Sequence, residues 1–129
     1  MADWRSAAIL GARDVKRAVG HYCDVLGFEC DSIFEGVGDE GGVYGIVQRD
    51  GVSLHIQIRR RELFPSRREQ IESDVYVYVD DVDALYEEVR SKGANIQREP
   101  ADAAYGLRDF AVEDLDGHRL VFGSPLAGA

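Results

Sequence analysis

His55 and Asp74 are the side chains best placed for ligand or proton chemistry. An imidazole titrates near neutral pH and can donate or accept a hydrogen bond, so His55 suits a ligand contact or a general base. Asp74 can meet a cationic ligand group or orient His55; the plainer alternative is a structural His55–Asp74 pair. Gln57 stands two residues from His55, and Tyr76 two residues from Asp74. Tyr76, Tyr105 and Phe110 can stack on a flat heterocycle, each contact adding about 0.5–1.5 kcal/mol beyond burial, although aromatic residues in strands often simply pack. Arg108 suits an anionic group, or equally an ion pair with a neighbouring carboxylate. Trp4 can cap a cleft or cover a partner subunit.

The elements that carry these residues come in two copies. Val15, Ala18, Val19, Tyr22, Cys23 and Leu26 recur at helical spacing behind Asp14, a candidate N-cap, with Gly27 just beyond. Val82, Leu85, Tyr86 and Val89 repeat the pattern behind Asp81, closed by Lys92-Gly93. Asp14 and Asp81 are 67 residues apart, as are Val15 and Val82; Asp50-Gly51 and Asp116-Gly117 are 66 apart. In both copies the Asp-Gly turn feeds an apolar strand, as a tight hairpin would. Strands are expected at 29–35, 42–48, 52–58, 74–79, 95–98 and 108–113. Each half therefore reads strand, helix, strand, strand, strand.

Alternation assigns faces. In 52–58, Val52, Leu54, Ile56 and Ile58 face a helix, while Ser53, His55 and Gln57 face away. In 74–79, Val75, Val77 and Val79 alternate with Asp74, Tyr76 and Tyr78. Two such polar, aromatic faces curved toward each other would make a cleft of the kind small ligands prefer. His21 falls off its helix stripe and His118 follows a turn, so both are expected to face solvent.

A chain of 129 residues, 45% hydrophobic and 30% charged, can bury one domain core. No apolar run approaches the roughly 18 residues of a membrane span, and Met-Ala-Asp-Trp-Arg lacks a secretory core, so a cytoplasmic protein without a membrane partner is expected. Cys23 and Cys30 are too few for a disulfide framework and are expected as reduced thiols in or near the core. The net charge of -9 argues against a nucleic-acid partner. Arg59, Arg60, Arg61, Arg67 and Arg68 form a basic cluster, read as a solvated connector with a dimer-interface or ligand-carboxylate role as the alternative. The glycine-rich run 35–42 is expected as a hairpin loop, without phosphate-loop spacing.

The paired modules, the helix Arg13-Asp14-Val15 through Tyr22 to Val25-Leu26-Gly27-Phe28, and the stretch from Tyr105-Gly106-Leu107 to Leu115-Asp116-Gly117-His118 resemble the vicinal oxygen chelate superfamily. That group includes glyoxalase I, extradiol dioxygenases, fosfomycin resistance enzymes and bleomycin resistance proteins. The resemblance implies an α+β fold of two tandem βαβββ modules, over 5–58 and 73–124 with a connector at 59–72, forming a curved mixed sheet around a cleft in one domain. It places the family's four metal-ligand positions at Ala7, His55, Asp74 and Val121, and alanine and valine have no donor atom. The implied function is the metal-free one, without a cofactor. It is a homodimer that sequesters an antibiotic or other aromatic metabolite, with His55, Gln57, Asp74, Tyr76, Tyr105, Arg108, Phe110 and Trp4 as ligand contacts. Two alternatives are a metal-dependent lyase, isomerase or dioxygenase, and a metal-free enzyme with His55 as general base.

Overall fold

The computed structural model describes residues 3–36, 42–59 and 72–126. The chain divides into two compact units between its fourth and fifth strands. The first contains β1 (Ala8–Ala12), α1 (Val15–Asp24), β2 (Glu29–Phe34), β3 (Tyr44–Arg49) and β4 (Val52–Ile58). The second repeats the order with β5 (Val75–Tyr78), α2 (Val82–Ser91), β6 (Asn95–Asp102), β7 (Leu107–Glu113) and β8 (Arg119–Pro125). This is the expected α+β fold of two βαβββ modules, its strands hydrogen-bonded as two four-stranded sheets ordered β1-β4-β3-β2 and β5-β8-β7-β6. In each sheet the first strand pairs parallel with the last, and the remaining pairs are antiparallel.

Both helices start where the aspartates say they should. Asp14 accepts a hydrogen bond from Arg17 N, and Asp81 from Ala84 N, each at 3.1 Å, satisfying one of the backbone donors that a helix start leaves open. The stripe Val15, Ala18, Val19 and Tyr22 of α1 is buried with Leu26, and packs over β3, β4 and β2. Val82 and Val89 of α2 are buried in the same way. Beneath α1, Leu54 and Ile56 are buried while Val52 and Ile58, nearer the strand ends, are half-buried.

The two Asp-Gly turns differ. Asp50 and Gly51 both have positive φ, 48° and 86°, and join β3 to β4 as a two-residue hairpin with Arg49 opposite Val52. That twist suits the strands it joins, and glycine adopts it without a side-chain clash. Asp116-Gly117 instead lies within a five-residue loop, 114–118, between the paired residues Glu113 and Arg119. Asp114 Oδ1 organises this loop by accepting from the backbone of Asp116 and His118, each at 2.9 Å. The loop folds His118 inward to 5% exposure, correcting its expected solvent-facing placement. Cys30 is exposed and Cys23 half-buried, both free, so only Cys23 approaches the core; burial pushes its thiol pKa up.

Arg60, Arg61, Arg67 and Arg68 lie outside the described residues, as does most of the glycine-rich run. No helix among the described residues is long and apolar enough to cross a membrane.

Candidate functional site

The period-2 alternation of β4 turns His55 to the face opposite α1, across from Ile9 on β1 and Ile46 on β3. Tyr44 projects on the same side, and its Oη lies 2.7 Å from His55 Nδ1, with the two rings edge to face at 5.4 Å. With Tyr44 as donor, Nδ1 accepts and Nε2 carries the imidazole proton. The partner of His55 is thus a phenol rather than the carboxylate a general base commonly uses for orientation. Gln57, opposite Tyr44, is exposed on this face, and exposed Ile9 and Phe34 flank the polar pair.

In the second module the corresponding face is built around Asp109, a carboxylate with 0% exposure. Three side chains converge on it. Tyr76 on β5 donates to Oδ2 at 2.9 Å, and Tyr105, from the turn before β7, donates a short hydrogen bond to the same oxygen. Arg98 on β6 places Nη1 2.8 Å from Oδ1 and 3.0 Å from the Asp109 carbonyl oxygen. The carbonyl receives the directed hydrogen bond; the Oδ1 contact lacks that alignment and is ionic.

Tyr76 and Asp109 sit on strands separated by β8, and the space between them exists because residue 123 is glycine. A Cβ there would land on the Tyr76 hydroxyl, 2.8 Å from the ring carbon bearing it and 2.9 Å from Asp109 Cβ. Burial alone pushes the Asp109 carboxyl pKa up, but the bonds from Tyr105 and Tyr76 and the contact with Arg98 outweigh it and hold the carboxyl below its usual range. The phenols move the other way. Burial and then the Asp109 bond raise the Tyr76 pKa; the Asp109 bond and then burial raise that of Tyr105.

Around this carboxylate stands an aromatic surface. The Tyr76 and Tyr78 rings are 5.1 Å apart and tilted by 53°, with Tyr78 69% and Tyr105 64% exposed. An exposed tyrosine ring whose hydroxyl is fixed from behind, as that of Tyr105 is, presents stacking surface at little cost in rotamer freedom.

Two expected contacts fall on the other side of this sheet. Phe110 has 0% exposure, stacked on Phe122 at 5.5 Å and edge-on to Tyr86 of α2, so it is core rather than a ligand platform. Arg108, two residues away on the same face, binds both carboxylate oxygens of Asp83 at 3.1–3.2 Å and Asp102 at 3.1 Å. It lines an open polar groove with Tyr86, Glu87 and Arg90, and its charge is committed to ion pairs. Asp74 accepts from Arg119 N at 2.9 Å at the start of β5. Trp4 is exposed ahead of β1. Sequence reasoning did not single out Asp109, Arg98, Tyr44 or Tyr78 as ligand contacts; the signal for Asp109 was an acid immediately before the apolar run Phe110-Ala111-Val112, in register with a glycine.

The profile of the Glyoxalase/Bleomycin resistance protein/Dioxygenase superfamily matches residues 6–122. This chain belongs to that superfamily. Among solved structures similar to this chain, the bleomycin-binding protein of bleomycin-producing Streptomyces verticillus, complexed with copper(II)-bleomycin, is 27% identical, with a TM-score of 0.69 over 98% of this chain and 100% of that one. TioX from Micromonospora sp. ML1 is 24% identical, with a TM-score of 0.74 over 95% and 100%. A glyoxalase-related enzyme from Clostridium phytofermentans is 20% identical, with a TM-score of 0.75 over 97% and 98%. No curated protein matches the sequence.

Metal-dependent members of the superfamily raise the question of a divalent ion at Ala7, His55, Asp74 and Val121. The donor set does not fit one. Ala7 and Val121 have no donor atom, Val121 is buried, and the Nδ1 of His55 and Oδ2 of Asp74 already have hydrogen-bond partners.

Proposed function

We propose that this chain is a metal-independent small-molecule binding protein of the bleomycin resistance type, which sequesters a planar aromatic compound, such as an antibiotic, without altering it. The observation that carries this reading is the surface formed by Tyr76, Tyr78 and Tyr105 around the buried Asp109. It offers stacking area and fixed polar atoms on the sheet face turned away from α2, while two of the family's four metal positions, Ala7 and Val121, lack a donor atom. The 27% identity to a protein complexed with copper(II)-bleomycin supports a ligand of that broad kind. His55, Gln57 and Tyr44 form a polar set of their own on the corresponding face of the first module. The protein acts in the cytoplasm as a homodimer, whose two-fold partner covers exposed apolar side chains such as Trp4, Ile9 and Phe34.

Titration calorimetry against copper(II)-bleomycin, metal-free bleomycin and a panel of planar aromatic antibiotics tests the reading, with mass spectrometry of each ligand after prolonged incubation. Saturable binding with the ligand mass unchanged is expected. A ligand that is chemically converted would make the protein an enzyme. Light scattering across a concentration series tests the dimer, and a monomer throughout would remove that part of the proposal.

A further inference from the structure

We infer that the aromatic face of the second module selects ligands that donate hydrogen bonds, namely flat ring systems bearing N–H groups such as amidines, guanidines or aminoheterocycles. This rests on the binding function proposed above and names the ligand class of that site.

Each tyrosine hydroxyl has one proton and two acceptor lone pairs. Tyr76 and Tyr105 both give their proton to Asp109 Oδ2, and an ionised carboxylate can only accept. Neither phenol therefore has a proton left for a ligand; what each presents outward is oxygen lone pairs. Asp109 is fully buried and does not reach a ligand itself, so it acts as a positioning residue that sets the polarity of the phenols. Hydrogen-bond chains polarise their members, and a phenol donating to a carboxylate becomes a better acceptor. Tyr105, which carries this acceptor, is itself largely exposed, as is the ring of Tyr78.

Arg98 is the feature that argues for the opposite polarity. Its side chain is 44% exposed, but Nη1 is held by the carbonyl and carboxylate of Asp109, and its charge is balanced by that carboxylate. The cluster is neutral as a unit, one guanidinium balancing one carboxylate.

The test compares 2-naphthamidine with 2-naphthoate, two probes of one ring system and opposite polarity, by calorimetry on the full chain and its Tyr105→Phe variant at ~0.15 M salt. The amidine is expected to bind at least about tenfold more tightly, the ratio one charge-assisted hydrogen bond supplies. Tyr105→Phe keeps the ring and the net charge, so long-range attraction by the acidic protein cancels between variant and parent. It should cost the amidine roughly fivefold or more and leave naphthoate unchanged. Tyr105 is exposed, and a thermal melt checks that the variant folds. Tighter binding of naphthoate, or amidine affinity indifferent to Tyr105→Phe, overturns the inference and leaves the binding function standing. Failure of both probes to bind at millimolar concentration counts against the planar-aromatic function itself, and the inference falls with it.

Discussion

The Tyr76 hydroxyl reaches Asp109 across an intervening strand, donating at 2.9 Å over the bare backbone of Gly123. The bond ties β5 directly to β7 through side chains, where the sheet ladder links these two strands only by way of β8. It also makes Tyr76 something other than the freely removable face residue that alternation alone describes.

Gly123→Ala should therefore be far from neutral. The added methyl occupies the path of the Tyr76 ring, and displacing that ring strands a buried acceptor, for an expected loss of about 1–3 kcal/mol. Chemical denaturation of the variant measures it. A loss below about 0.5 kcal/mol, the usual scale of a surface change, would show that the ring has room to move aside.

Truncations should sort by face and by partner. Leu54→Ala and Val77→Ala open cavities under the helices and should cost about 1–4 kcal/mol, with Phe110→Ala at about 3–5 kcal/mol. Tyr78→Ala, on an exposed ring, should stay within about 0.5 kcal/mol of the parent. Tyr76→Ala should fall between them at about 1–3 kcal/mol, because it removes a donor from a buried carboxylate. Thermal melts rank the five variants, and a Phe110→Ala variant as stable as Tyr78→Ala would contradict the core placement.

The acid limb of stability should depend on Asp109. Its carboxyl is held below the ordinary value of 3.8, so its contribution is fully present above that value and is lost as pH falls through the lower, folded one. Asp109→Asn should lower the melting temperature at neutral pH, and the gap to the parent should shrink only below the ordinary carboxylate range. A gap that closes already between pH ~7 and ~5 would mean that another group governs the acid limb.

Purified protein should carry far less than one zinc, nickel, iron or manganese ion per chain, since Ala7 and Val121 leave the family's positions without half their donors. Elemental analysis after gel filtration decides it. Stoichiometric metal that survives micromolar chelator would overturn the metal-independent assignment.

Much of the fold was legible in the sequence because its signals are local. Asp14 and Asp81 announce helix starts through a side-chain oxygen three residues from the amide it caps, and β4 is recognisable over its whole length from alternation. The site was less legible because its geometry is not local. Arg108 and Phe110 look like ligand contacts in isolation, yet their register turns both toward α2 and turns Asp109, between them, the other way. The bond from Tyr76 to Asp109 spans 33 residues and depends on a third position, Gly123, that carries no side chain to draw attention. His118 was misplaced for a related reason, since its burial follows from how Asp114 gathers the loop backbone rather than from any periodicity.

The register breaks in β2 and β6 bear on solubility. Both are edge strands of their sheets, and an edge is a template on which another chain can add a strand. β2 shifts register between Cys30 and Ser32 and exposes Glu29 and Asp31. β6 shifts twice between Ile96 and Ala101, carries Arg98, Glu99 and Asp102, and places Pro100, which has no amide proton to offer, within the second break. Charges, bulges and a proline thus blunt the β2 and β6 edges against strand addition, a property that the proposed mole-for-mole sequestration would need at high protein concentration.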